Sequence, residues 1–90
     1  MSKLKEIAAT ADVATGADGY RLFSVTVSAV ADAASCVIRD VSGSDPLVTV
    51  KAAILSTATW RAGDPKGVWI GTTIHATVTG TAPAVDIEYS

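Results

Sequence analysis

The chain has 90 residues, a mass of 9.1 kDa, a formal net charge of −2 and a mean hydropathy of +0.38. That length fits one small domain, for which area scaling gives roughly 4,900 Å² of folded surface and about 60% of the unfolded surface buried. The charge balance lacks the basic excess of a nucleic-acid binder, and 22 residues of Leu, Ile, Val and Phe suffice for a core.

Val, Ile and Thr together supply 28 residues, and such β-branched side chains pack well on a pleated surface. The 16 alanines lie among alternating Val and Thr rather than on a helical stripe, so the expected class is all-β: a compact antiparallel β-sandwich of six or seven strands. Residues 1–18 are read as an N-terminal arm or edge strand and 19–90 as the β-sandwich domain. Within the former, Lys3 to Val13 has Leu4, Ile7 and Val13 among small residues and no clean period.

From Tyr20 onward the chain alternates, with Phe23, Val25, Val27, Ala29 and Ala31 expected inward and Leu22, Ser24, Thr26, Ser28 and Val30 outward. A short strand follows over 35–41, with Cys36 and Ile38 inward. The run Ser42-Gly43-Ser44-Asp45-Pro46 then reverses the chain. Residues 47–55 alternate less cleanly, as a strand partly covered on both faces. Thr57 to Arg61 forms a short strand around Trp60, ended by the turn signal Gly63-Asp64-Pro65-Lys66-Gly67.

The next strand sets Val68, Ile70, Thr72, Ile74, Ala76 and Val78 inward against Trp69, Gly71, Thr73, His75, Thr77 and Thr79. Gly80-Thr81-Ala82-Pro83 is expected to turn it into a final hairpin with a strand whose Val85, Ile87 and Tyr89 face inward and whose Asp86 and Glu88 face solvent. The uncharged stretches 25–31 and 67–85 are the expected open edges, to be covered by neighbouring subunits.

Several chemistries lack their residues. Cys36 is the only cysteine, so neither an internal disulfide nor a cysteine pair for zinc is available. Asn and Gln are absent, which removes N-glycosylation and side-chain amide recognition. The uncharged run 67–85 is broken by glycines, Pro83 and His75, so no membrane partner is expected. Met1 to Glu6 has no apolar core behind its lysines, so synthesis in a cytoplasm without a signal peptide is the expectation.

His75, the only histidine, reads as a surface or interface imidazole. A Cys36–His75 dyad would need the fold to join two residues that no motif links. The aspartates fall mostly in expected turns, no loop has the carboxylate spacing of a calcium site, and Gly16-Ala17-Asp18-Gly19 is too short for a phosphate loop. No enzyme, catalytic residue, metal or cofactor is therefore assigned. Phe23 and Tyr89 are expected in the core. Trp69, outward on a threonine-rich strand, is either covered by another segment or open to a partner. The contact candidates are Leu4, Ile7, Trp60 and Trp69.

Gly67-Val68-Trp69-Ile70, then Val78-Thr79-Gly80-Thr81, then Ala84-Val85-Asp86-Ile87-Glu88-Tyr89 resembles the ending of short structural proteins of tailed phages and prophages. Phe23 to Ala29, followed by Ala34 to Asp40 and a Ser-Gly-Ser loop, is similar to the paired strands of those proteins, so the resemblance covers residues 19–89. It implies a β-sandwich component of the virion, foremost a capsid decoration or cement protein that forms a homotrimer and binds the major capsid protein. It carries no catalytic residue onto this chain. The alternatives are a head–tail or tail-associated virion protein, and a carbohydrate-binding or adhesin-like module stacking sugars on Trp60, Trp69 or Tyr20.

Overall fold

The computed structural model describes residues 2–81 and 83–90; Met1, at the start of the expected N-terminal arm, and Ala82, of the expected final turn, lie outside them. The strands are β1 (Lys3–Ile7), β2 (Ala11–Ser28), β3 (Ala34–Arg39), β4 (Val48–Ala52), β5 (Thr57–Arg61), β6 (Val68–Thr79) and β7 (Ala84–Tyr89). All pairings are antiparallel and join into one seven-stranded sheet of order β1-β7-β2-β6-β3-β4, with β5 also on β2. The all-β antiparallel class read from the sequence is the one the chain adopts, and its accessible surface is 4948 Å².

Connectivity shows how this sheet encloses a core. Ala11 of β2 lies opposite Ala76 of β6, and Ser28 at its other end lies opposite Ala84 of β7. A straight 18-residue strand would be about 60 Å long, whereas the link from Thr79 to Ala84 spans at most about 17 Å. The whole molecule measures 37 × 27 × 20 Å. β2 is therefore bent back on itself, and the sheet folds with it into two layers.

The crease lies at residues 16–24 of β2. Register shifts occur there between Thr15 and Tyr20, between Tyr20 and Arg21, and between Leu22 and Ser24. Bulges of this kind bend a strand and increase its twist. Gly19 (φ 78°) and Gly71 (φ 139°), on facing strands, take backbone conformations that other residues rarely adopt. One layer holds β4, β3, β6 and the first half of β2; the other holds β5, the second half of β2, β7 and β1.

Between the layers lie Val13, Leu22, Val25, Val27, Cys36, Ile38, Val48, Val50, Ile70, Ile74, Val85 and Ile87, all buried. The inward sets expected for residues 36 and 38 and for 85, 87 and 89 are buried as read, whereas of the face shared by Val48, Val50, Ala52 and Ile54 only the first three are buried and Ile54 is exposed. β4 is exposed on its other face, at Thr49 and Lys51, so it is not covered on both sides.

The crease overturns other expectations. The final hairpin does not form: β7 pairs with β1 and β2, and β6 with β2 and β3. Both strands put apolar residues toward the same core, so their link crosses between layers. Phe23 is half-buried outside the core while Leu22 is fully buried, because the shift after Leu22 lets it and Val25 both point inward. On β6, Val68 and Thr72 are exposed, whereas Gly71, Thr73 and His75 are buried. β2 is paired on both sides over Ser24 to Ser28, between β5 and β7, so its uncharged stretch is interior there. β6 is paired on both sides only at His75 and Ala76, and over Val68 to Ile74 it pairs with β2 alone, which leaves an open edge in that uncharged stretch. The strands ending the order, β1 and β4, carry Lys3, Lys5 and Glu6, and Lys51.

β2 runs without interruption across positions 18 and 19, and β1 is an edge strand pairing Lys3 to Ile7 with Tyr89 to Val85. Lys3 and Lys5 oppose the inward Tyr89 and Ile87, so they share the inner face at the rim, a placement that discourages further strand addition.

Candidate functional site

The four contact candidates have different fates. Ile7 and Trp60 are half-buried and pack against the core, Trp60 opposite Val25. Leu4, 73% exposed, stands beside Glu88 on the outer face. Trp69 is 54% exposed. The end of its ring covers Gly19, where a methyl group would collide with it. Arg21 lies opposite Trp69 and donates from Nη1 to the Gly67 carbonyl at 3.4 Å. Trp69 is thus seated on its own subunit along one side and open on the other.

Cys36 and His75 are not brought together. Cys36 points into the core, and burial pushes its thiol up to about 11, so the nucleophilic thiolate is scarce near neutrality. His75 lies on the opposite face of the layer, only 9% exposed rather than at the surface. Its Nδ1 is 2.7 Å from Asp12 Oδ1 on β2, and Arg39 of β3 sits across from it on the other side. Arg39 donates from Nη1 to the Ser44 carbonyl at 3.0 Å, and its buried Nε has no partner among the described residues. The Asp12–His75 pair thus links β2 to β6, while Arg39 ties β3 to the following turn.

The remaining aspartates do local work. Asp40 lies against Gly71 and its Oδ1 accepts the Thr73 N–H at 3.1 Å, serving the irregular stretch of β6. Asp64 accepts the Lys66 N–H at 2.8 Å, the local turn bond expected of it. A hollow of about 170 Å³ lies over Gly16, Ala17, Asp18, Gly19 and Tyr20, where β2 bulges from β6. Asp18 is its only ionisable group besides the Tyr20 phenol. Among the described residues, no three His, Cys, Asp or Glu side chains are grouped to hold a metal ion.

The sequence reading missed one feature. Folding the sheet gathers the links β1–β2, β2–β3, β4–β5 and β6–β7 at the end opposite the crease. Ala29 N–H donates to the Ser56 carbonyl at 2.9 Å, Thr81 Oγ1 bonds to Asp32, and Gly80 lies tight against Ala33 and Ala34. Across these links, 8–10, 29–33, 53–56 and 80–83, the only charged residue is Asp32. Val30, Ile54 and Leu55 are exposed there, Leu55 to 79%. Ile54 and Leu55 had been assigned to a strand; the signal against that was Ser56, whose N–H and Oγ both bond to the Ala53 carbonyl and close a turn.

Among the described residues, no helix is long and apolar enough to cross a membrane. Neither the protein-family models, nor the curated proteins, nor the solved structures include a match to this chain.

Proposed function

We propose that this chain is a structural component of a phage virion, foremost a capsid decoration protein that coats the shell as an oligomer and stabilises it. The reading begins with the sequence resemblance over residues 19–89. The structural observation that supports it is the display of large apolar side chains on ordered elements: Leu4 on β1, Trp69 on β6, and Ile54 and Leu55 on the β4–β5 turn. Single exposed apolar residues are ordinary on a protein surface, so the support comes from Trp69, a residue type enriched at interface hot spots, and from the adjacent pair Ile54 and Leu55.

The mechanism is adhesive and needs no reacting group. A rigid sheet holds its contact side chains with little ordering cost on binding. Multiplying weak contacts through an oligomer on a repeating shell then gives avidity. Trp69 is the contact with most to offer, since truncating an interface tryptophan often costs about 2 kcal/mol or more of binding.

The test is co-sedimentation with shells assembled from the major capsid protein encoded in the same genome. Wild-type protein is expected to pellet with the shells and raise their melting temperature. Trp69→Ala is expected to remain folded and to bind at least tenfold more weakly. Wild-type protein left in the supernatant, with shell stability unchanged, would sink the reading.

A further inference from the structure

Strands other than β5 that lie open along one side are each blunted there. β1 sets Lys3 and Lys5 on its inner face at the rim. The first half of β2 carries Asp12 with a register shift beside it, and β4 carries Lys51. The open stretch of β6 is broken by a shift between Trp69 and Gly71, and the Asp40 carboxylate takes its Thr73 N–H at 3.1 Å. Charges and bulges are the usual means of stopping a sheet from adding strands, and a carboxylate bonded to the edge occupies the place of one.

β5 has none of these devices before its last residue, Arg61. It pairs with β2 in unbroken register, and two bonds extend the ladder at its ends: Ala29 N–H to the Ser56 carbonyl and Ala62 N–H to the Phe23 carbonyl. Those bonds fix which groups face β2. Alternate residues of an antiparallel strand bond to opposite sides, so the N–H and C=O of Thr57, Thr59 and Arg61 point along the free edge. They have no hydrogen-bond partner among the described residues. The edge is also held in place, since Thr59 Oγ1 bonds to Thr26 Oγ1 at 3.1 Å and Thr57 Oγ1 donates to Ser28 Oγ at 3.2 Å.

A row of unbonded main-chain groups is completed by another extended strand, and the side chains of β5 complement themselves. When two copies of β5 run antiparallel about a two-fold axis through Thr59, the three free residues of each edge are all used. Thr59 then meets Thr59, Arg61 meets Thr57, and the large Trp60 meets the small Ala58. The one charge of the edge is thereby kept from its own copy. It faces instead the end of the second chain whose links carry Asp32 as their only charge, on the link that follows Ser28, the partner of Thr57. We infer that a second copy of this chain pairs with β5 along this edge and continues the sheet across a two-fold axis at Thr59. The inference does not rest on the virion reading, and a two-fold pair is distinct from the trimer that the resemblance implies.

Sedimentation equilibrium of the purified full chain tests it through Thr59, whose side chain is exposed. The wild type is expected to dimerise. Thr59→Lys and Thr59→Glu each set like charges face to face on the axis, so each is expected to raise the dissociation constant by about tenfold or more, with β-sheet circular dichroism preserved. An equimolar mixture of the two variants sets opposite charges at the same point and is expected to recover dimers. Only pairing between copies in this register predicts that recovery. Hydrogen exchange on the wild type gives a second readout, in which the Thr57, Thr59 and Arg61 amides gain protection as protein concentration rises. A wild type that is monomeric throughout would overturn the inference, as would single variants that dimerise as tightly as the wild type or a mixture that stays monomeric. Amides of β5 protected only on assembled shells, at any concentration of free protein, would overturn it in favour of a strand of the shell protein.

Discussion

Cys36 is fully buried in β3, and its thiol is held protonated by lack of solvation, up to about 11 from an ordinary value of 9.0. Between those values the unfolded chain has released this proton and the folded chain has kept it. The folded form then binds more protons, so stability falls as pH rises through this window and is unaffected below it. The full effect is of the order of 3 kcal/mol, approached near pH 11. Urea midpoints at pH 7 and pH 10.5 should therefore drop more for the wild type than for Cys36→Ala. Equal drops would show that the thiol is not the group responsible. Its burial was readable from its alternation with Ile38. The burial of His75 was not, because the partner that covers it, Asp12, is 63 residues away in sequence.

At the scale of elements, legibility follows regularity. β3 and β7 keep strict alternation of buried and half-buried positions, apart from Ala84 at the exposed start of β7, so their inward residues could be named from period two alone, whereas β4 alternates in the fold but was masked in the sequence by Leu47, Ile54 and Leu55 at its ends. β2 and β6 could not be read that way, because each shift of register at the crease reverses which face the next side chain takes. The composition of the 80–83 link suits a hairpin and a crossing between layers equally, and only the bend in β2 decides between them. Asp40 shows how the irregularity is supported, since its carboxylate takes the Thr73 N–H in the space left by the missing side chain of Gly71. Asp40→Ala should cost about 2 kcal/mol by leaving that donor unpaired. Gly71→Ala should also destabilise, because its methyl group would meet the same carboxylate. The double variant should lose less than the two single losses added together, since the collision disappears with Asp40. Strict additivity in urea denaturation would show that the two residues are not coupled.

The sequence reading named Leu4, Ile7, Trp60 and Trp69 as contacts, of which Leu4 and Trp69 are exposed and Ile7 and Trp60 half-buried against the core, and it did not name the Ile54–Leu55 tip. Its apolar character looked like strand, and the gathering of the uncharged links at one end is a property of the folded sheet that no local window contains. The same folding brings the termini together: Lys3 pairs with Tyr89, and Arg21 exchanges backbone hydrogen bonds of 2.9 Å with Ser90. The β1–β7 ladder thus closes nearly the whole chain as one loop, and such a contact is formed at the largest entropic cost. Joining Ser90 to Ser2 through a short glycine linker and opening the chain at Ser42–Gly43 should convert that ladder into a local hairpin. The new ends would fall in an exposed loop whose Gly43 has no neighbour within 4 Å of an added Cβ. Shortening the closed loop from about 86 residues to about 10 lowers the closure cost by roughly 2 kcal/mol in the simple chain model. The permutant is therefore expected to fold to the same sheet, with β1 and β7 amides protected from hydrogen exchange and with stability no lower than the parent. If it folded but left β1 unprotected, the β1–β7 ladder would not be an integral part of the sheet, and the rim lysines would not be guarding its edge.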